Sequence, residues 1–198
     1  MGSREKGFTV VEASIYGAVL AAAMLVTGPP LLQLSGDLRL RAAAAEAAAV
    51  LRSTRFLAVR HSAHVAVRFG AWAGGPITYA IYRDGDGDGV LSRDITRGVD
   101  PELSPPRPLG DGHAIRFGFP PGLRVRDPGD PRVWMKTEDP VRFNQSNMAS
   151  FGPLGESTPG SLYLTDGDRR LVVVRVFGRT GKIRVLSYDF DTQKWLQR

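Results

Sequence analysis

KGFTVVEASIYGAVLAAAMLV, residues Lys6–Val26, is the stretch on which the reading of this chain turns. After Gly7 it is almost wholly apolar, and the apolar character continues to Leu34, with Thr9, Glu12, Ser14, Tyr16, Thr27 and Gln33 as the polar groups. About 20 apolar residues in a helix span a bilayer, so the run reads as a membrane-length helix. Glu12 is the anomaly. A carboxylate at a membrane centre costs roughly 3 kcal/mol even on mild insertion scales. A secretory signal peptide does not explain it, because Glu12 would sit inside the apolar core of the signal and the helical pattern runs on past Ser35. A plain anchor explains the length and leaves Glu12 without a role.

Outward from this segment the pattern changes twice. From Ser35 the chain is alanine-rich and helix-favouring, with Leu38, Ala42, Ala45, Ala49, Phe56 and Val59 at spacings of three, four or seven. These predict the buried stripe of a helix running from about residue 8 to 60. Pro29 and Pro30 are predicted to break or bend it, since proline lacks the N–H and clashes one turn back. After His61 the period becomes two. AHVAVRF (63–69), ITYAIYR (77–83), AIRFGF (114–119), GLRVR (122–126), GSLYLTD (160–166), RLVVVRVF (170–177) and KIRVLSY (182–188) read as strands. The Pro- and Gly-rich sections at about 98–112 and 127–160 read as loops. The resulting division is a leader at 1–7, a transmembrane and assembly helix at 8–34, its amphipathic continuation at 35–62, and a β-rich globular domain at 63–198 with a loop-rich region at about 98–160. The expected fold class is α+β: a long N-terminal helix, membrane-spanning in its first half, packed on a C-terminal antiparallel sheet domain.

The motif Gly7-Phe8-Thr9-Val10-Val11-Glu12 resembles the processing site of type IV pilins and type II secretion pseudopilins. The later run LYLTDGDRRLVVVRVFGRTGKIRVLSYD and the segment YAIYRDGDGDGVLSRD resemble the minor pilins of the GspH/FimT type. The resemblance implies cleavage after Gly7 by a prepilin peptidase and N-methylation of Phe8. It implies that Glu12, fifth in the mature chain, pairs with the Phe8 ammonium of a neighbouring subunit. Two buried charges that are each costly alone would then favour assembly. The implied location is the bacterial inner membrane, single-pass, with the N-terminus cytoplasmic and the globular domain periplasmic, followed by entry into a pilus or pseudopilus. Other pilin subunits, the peptidase and the membrane are the implied partners.

Other features are weighed on their own residues. Asp84-x-Asp86-x-Asp88-Gly89, with the Val90 carbonyl, is the first half of a calcium loop, but Ile95 stands where the last ligand belongs and Asp94 precedes it. Calcium is therefore a candidate cofactor and a solvated turn is the alternative. Arg169, Arg170, Arg179, Lys182 and Arg184 form a basic C-terminal segment that could contact nucleic acid. The net charge of +6 permits that partner without demanding it. With no cysteine, disulfides and thiolate sites are excluded. His61, His64 and His113 lack metal spacing, Trp72, Trp134 and Trp195 read as core or contact anchors, and no nucleophile–base set is present. The expectation is a non-enzymatic minor subunit of a type II secretion pseudopilus, or of a type IV pilus, acting at the fibre tip, in initiation or as an adaptor. The alternative is a membrane-anchored envelope protein that binds DNA or another ligand, for example a pilin-like DNA-uptake receptor.

Overall fold

The computed structural model describes residues 9–71, 76–110, 115–144 and 146–197, with the backbone alone at 25–34 and 71. Gly7, Phe8 and the leader 1–7 lie outside the described residues, as do Trp72 and His113. In chain order the elements are α1 (Val10–His61), β1 (Val65–Ala71), β2 (Ile77–Arg83), α2 (Ser92–Arg97), β3 (Glu102–Pro108), β4 (Arg116–Phe117), β5 (Val141–Arg142), β6 (Met148–Phe151), β7 (Gly160–Thr165), β8 (Leu171–Phe177), β9 (Lys182–Asp189) and β10 (Lys194–Gln197). All strand pairs are antiparallel. One sheet has the order β3-β2-β1-β6; the other has the order β10-β9-β8-β7-β4, with β5 also paired to β7. The chain divides into two compact units, 1–37 and 38–198.

Two expectations are corrected here. Among the described residues no helix is long and apolar enough to cross a membrane. Glu12, Ser14 and Tyr16 interrupt the apolar side chains of Val10–Met24. The fold class is accordingly a mostly β protein of two antiparallel sheets, in place of one organised on a membrane-spanning helix. The single-pass location, cytoplasmic N-terminus and periplasmic domain included, falls with it. The helical backbone continues through residues 29 and 30, where a break or bend was expected. Each proline removes one bond from the ladder, and here that loss does not end the helix.

In the first unit, α1 opens with a reciprocal cap. The Thr9 amide donates to Glu12 Oε2 at 3.0 Å, and the Glu12 amide donates to Thr9 Oγ1 at 3.2 Å. This is the T-x-x-E capping box, which satisfies two amides that the first helical turn leaves open.

In the second unit, the buried face of α1 is the reverse of the predicted one. Leu40, Ala43, Ala44, Ala47, Ala48, Leu51 and Ala58 are buried. The predicted stripe of Leu38, Ala42, Ala45, Ala49, Phe56 and Val59 is exposed throughout. Alanine at 42–45 and 47–49 fits either face, so the period did not select one; the sheets did. The buried alanines share one core with Val65, Val67 and Phe69 of β1 and with Leu162, Leu164, Val172, Val174 and Val176 of β7 and β8. Small side chains allow the close approach. At Gly110, where φ is +71°, an added Cβ would lie 3.1 Å from Ala43 Cβ. The Gly110 amide donates to Glu46 Oε2 at 2.8 Å, so the helix also fixes the chain just beyond β3.

The central strand β8 is buried on both sides. Val172, Val174 and Val176 face α1, whereas Leu171 and Val173 join Tyr163, Val125 and Tyr188 in a second cluster. Trp195 closes this cluster and donates its Nε1–H to the Arg126 carbonyl at 2.7 Å. Burial pushes the Tyr163 phenol up to about 12, with the Ser161 hydroxyl opposing the shift. At the edge of the other sheet lies β3, with the sequence ELSPPRP.

Substituting leucine for Ala44 or Ala48 should destabilise the protein by about 1–3 kcal/mol through overpacking. The same change at Ala45 or Ala49 should stay within about 0.5 kcal/mol; urea melts of the four variants check the orientation of the helix. Tyr163 keeps its proton in the folded chain at pH values where the unfolded chain, with an ordinary pKa of 10.0, has lost it. Its contribution is therefore full below about pH 10 and is lost as pH rises toward 12. Tyr163→Phe should flatten the decline of the urea midpoint measured between about pH 9 and 11.

Candidate functional site

The clearest surface of the first unit is apolar. Val10, Val11, Ile15, Tyr16, Val19, Leu20 and Met24 are all more than half exposed, Val10 at 83%. Scattered exposed apolar residues are ordinary, but a contiguous run of this kind marks an interaction surface. Glu12 stands at its start. Its hydrogen bonds, first from the Thr9 amide and then from the Thr9 hydroxyl, hold its carboxyl below the usual range. The sequence reading gave this residue a partner in another subunit and overlooked the local one, although Thr9 three positions earlier is the signal for it.

The acidic turn follows β2. The carboxylate oxygens of Asp84, Asp86 and Asp88 lie within 4.8 Å of one another, which is close enough to share a cation. Asp84 is buried and is already occupied: Oδ1 accepts the amides of Asp86 and Gly87, and Oδ2 accepts that of Gly89. Asp88 is exposed, and its carboxyl is pushed up, first by desolvation and then by the charge of Asp86, with Arg93 opposing. Asp94 does not join the trio. It is buried and its Oδ2 pairs with Arg93 Nε at 3.0 Å. Val90 is buried against Ala66 and Met148, which anchors the turn to β1. The sequence reading missed Asp100. Only 2% exposed, it accepts the Gly85 amide at Oδ1 and the Leu91 amide at Oδ2, tying both ends of the turn. Asp84, Asp86 and Asp88 are thus close enough to share a cation, although Asp84, like Asp100, already holds the turn through the chain's own amides.

The basic residues are split between two places. Arg169 and Arg170 precede β8 and are each paired, with Asp191 and Asp166 respectively. Arg179 and Lys182 lie at the opposite end of β8, about 20 Å away for a strand of seven residues. Arg184 follows on β9. The hairpin end borders a groove of about 440 Å³ whose walls include Arg52, Arg55, Phe56, Val59 and Lys182. Arg55 donates from Nε to the Gly155 carbonyl at 2.9 Å, so its role there is partly to hold a loop. Neither helix arginine was selected from sequence as part of a basic surface, because only the fold brings α1 beside the 178–182 turn.

Trp134 lies under two guanidiniums, with Arg126 Cζ 3.5 Å and Arg124 Cζ 4.3 Å from its ring centroid. It acts as an anchor for the 124–134 loop. Comparison with protein families, with characterised proteins and with solved structures gives no match for this chain.

Asp100→Ala leaves two amides without an acceptor in a part-buried turn, and should lower stability by about 2 kcal/mol. Asp86→Asn, which keeps the Asp84 and Asp100 contacts, should have little effect in the same denaturation series.

Proposed function

We propose that this chain is a fibre subunit of the pilin or pseudopilin type, processed between Gly7 and Phe8 and assembled through the first part of α1. The observation that carries the reading is the uncovered apolar surface of Val10–Met24, with Glu12 near its start. A surface of this length that the chain does not cover needs a partner of matching shape, and parallel helices of other subunits provide one. The motif Gly7-Phe8-Thr9-Val10-Val11-Glu12 supports the same reading from the residues themselves. In this proposal Glu12 has two duties in sequence. Its hydrogen bonds to Thr9 organise the first turn, and its charge meets the Phe8 ammonium of a neighbour when subunits pack. No chemistry is required of the protein; its work is mechanical, in starting, capping or adapting a fibre. The type II secretion pseudopilus is the first assignment and the type IV pilus the second.

The two duties separate by mutation. Glutamine at position 12 keeps a capping box and removes the charge, whereas alanine removes both. Glu12→Gln should retain the helix content of the wild type and lose sedimentable assemblies. Glu12→Ala should lose assembly and also fray the first turn. Intact mass should show the loss of residues 1–7 and one methyl on Phe8. Normal assembly of Glu12→Gln, or an unprocessed chain in the assembled fraction, would remove the basis for the proposal.

A further inference from the structure

A row of cations crosses the outer face of the second sheet. Arg142 on β5 stands opposite Ser161 on β7. Ser161 stands opposite Arg175 on β8, and Arg175 opposite Arg184 on β9. Residues directly across antiparallel strands share a face, so three guanidiniums and one hydroxyl line up over four strands. Like charges set directly opposite destabilise a sheet, and Arg175 and Arg184 are such a pair.

The surroundings do not neutralise the row. Among the described residues, Arg175 has no carboxylate or carbonyl partner; its guanidinium carbon lies 5.3 Å from the Phe177 ring centroid. Arg184 approaches the same ring at 5.5 Å, and its Nε is buried without a hydrogen-bond partner. Arg142 is fixed in place, donating from Nε to the Asp139 carbonyl at 2.8 Å and from Nη2 to the Lys136 carbonyl. One carboxylate, Asp127, lines the same space as Arg142 and Arg175, its Oδ1 accepting the amides of Gly129 and Asp130; one carboxylate against three guanidiniums leaves the row cationic.

The row also has a cavity. Arg142, Ser161, Tyr163 and Arg175, with Asp127, line a space of about 340 Å³, bounded on one side by Phe177. Ser161 is 9% exposed and Tyr163 2%, so the floor is rigid and polar at two points. A guanidinium presents a planar fork that matches phosphate oxygens in pairs, and two such forks converging on a hydroxyl suit a dianion better than a single carboxylate. We infer that the Arg142–Ser161–Arg175 row is a binding site for a phosphate-type oxyanion, either the free ion or the terminal group of a phosphomonoester. The anion relieves the opposition of Arg175 and Arg184 and takes hydrogen bonds from the Ser161 hydroxyl and both flanking forks. The site lies within the second unit and does not depend on the assembly proposal.

The test is thermal unfolding of the full chain in inorganic phosphate, against chloride at the same ionic strength. Phosphate should raise the Tm saturably in the wild type. Arg175→Gln and Arg142→Gln should weaken that response roughly tenfold in apparent affinity. Arg175→Gln should match or exceed the wild-type Tm in chloride, because it removes one of two opposed charges; this keeps the test readable without relying on a damaged fold. Arg175→Lys, which retains charge and loses the fork, should respond weakly. Glycerol phosphate in place of phosphate distinguishes the sources: equal protection means that a phosphomonoester head is read, and protection by phosphate alone means the free ion. No phosphate-specific rise in the wild type, an undiminished rise in both glutamine variants, or protection by a short oligonucleotide where phosphate gives none would overturn the assignment.

Discussion

The close packing of alanine against sheet is the contact on which the second unit depends. Ala43, Ala44, Ala47 and Ala48 present almost no side-chain bulk, so the backbone of α1 comes near enough to share one core with strands of both sheets. Each alanine buries little area, and the favourable term lies in what the approach permits. Phe69, Phe143 and Phe151, with the valines of β8, can then fill the space beneath the helix without voids. Glu46 and Gly110 reinforce the same approach from outside the core through a side chain-to-backbone bond. A bulkier residue on this face would displace the two sheets together, because they meet the helix in one cluster.

Polar groups organise the rest by the same economy. Asp84, Asp100 and Glu46 each accept backbone amides at places where a strand ends and a turn begins. Thr9 and Glu12 do so where the helix begins. In every case a side-chain oxygen supplies the acceptor that regular structure cannot. The acidic character of the 84–88 turn therefore has a structural cause for Asp84. Asp86 and Asp88 remain at the surface as a like-charged pair.

Strands with a strong β-branched pattern were legible from the residues. ITYAIYR and KIRVLSY fall on β2 and β9 almost residue for residue, and RLVVVRVF contains β8. Its unbroken valine run follows from burial on both faces. GLRVR was not legible as what it is: one isolated bridge, Arg126 to Trp134, takes the place of a strand. β3 was read as loop because proline dominates ELSPPRP, and β6 because MASF is short and weakly patterned. The acidic carboxylates were found by spacing, but Asp100 was not, since its role comes from the return of the chain past α2. The Arg142–Ser161–Arg175 row was equally invisible. It exists only through the registers of β5, β7 and β8.

Proline in β3 has a consequence for how copies of this protein can meet. β3 is the outer strand of its sheet, where an unprotected edge would offer open donors and acceptors to a neighbouring chain. Pro105, Pro106 and Pro108 have no N–H to offer, and their rings crowd the approach. Continuous sheets cannot grow across that border. Fusion of copies through the β3 edge is thereby blocked, and any ordered association is directed to other surfaces.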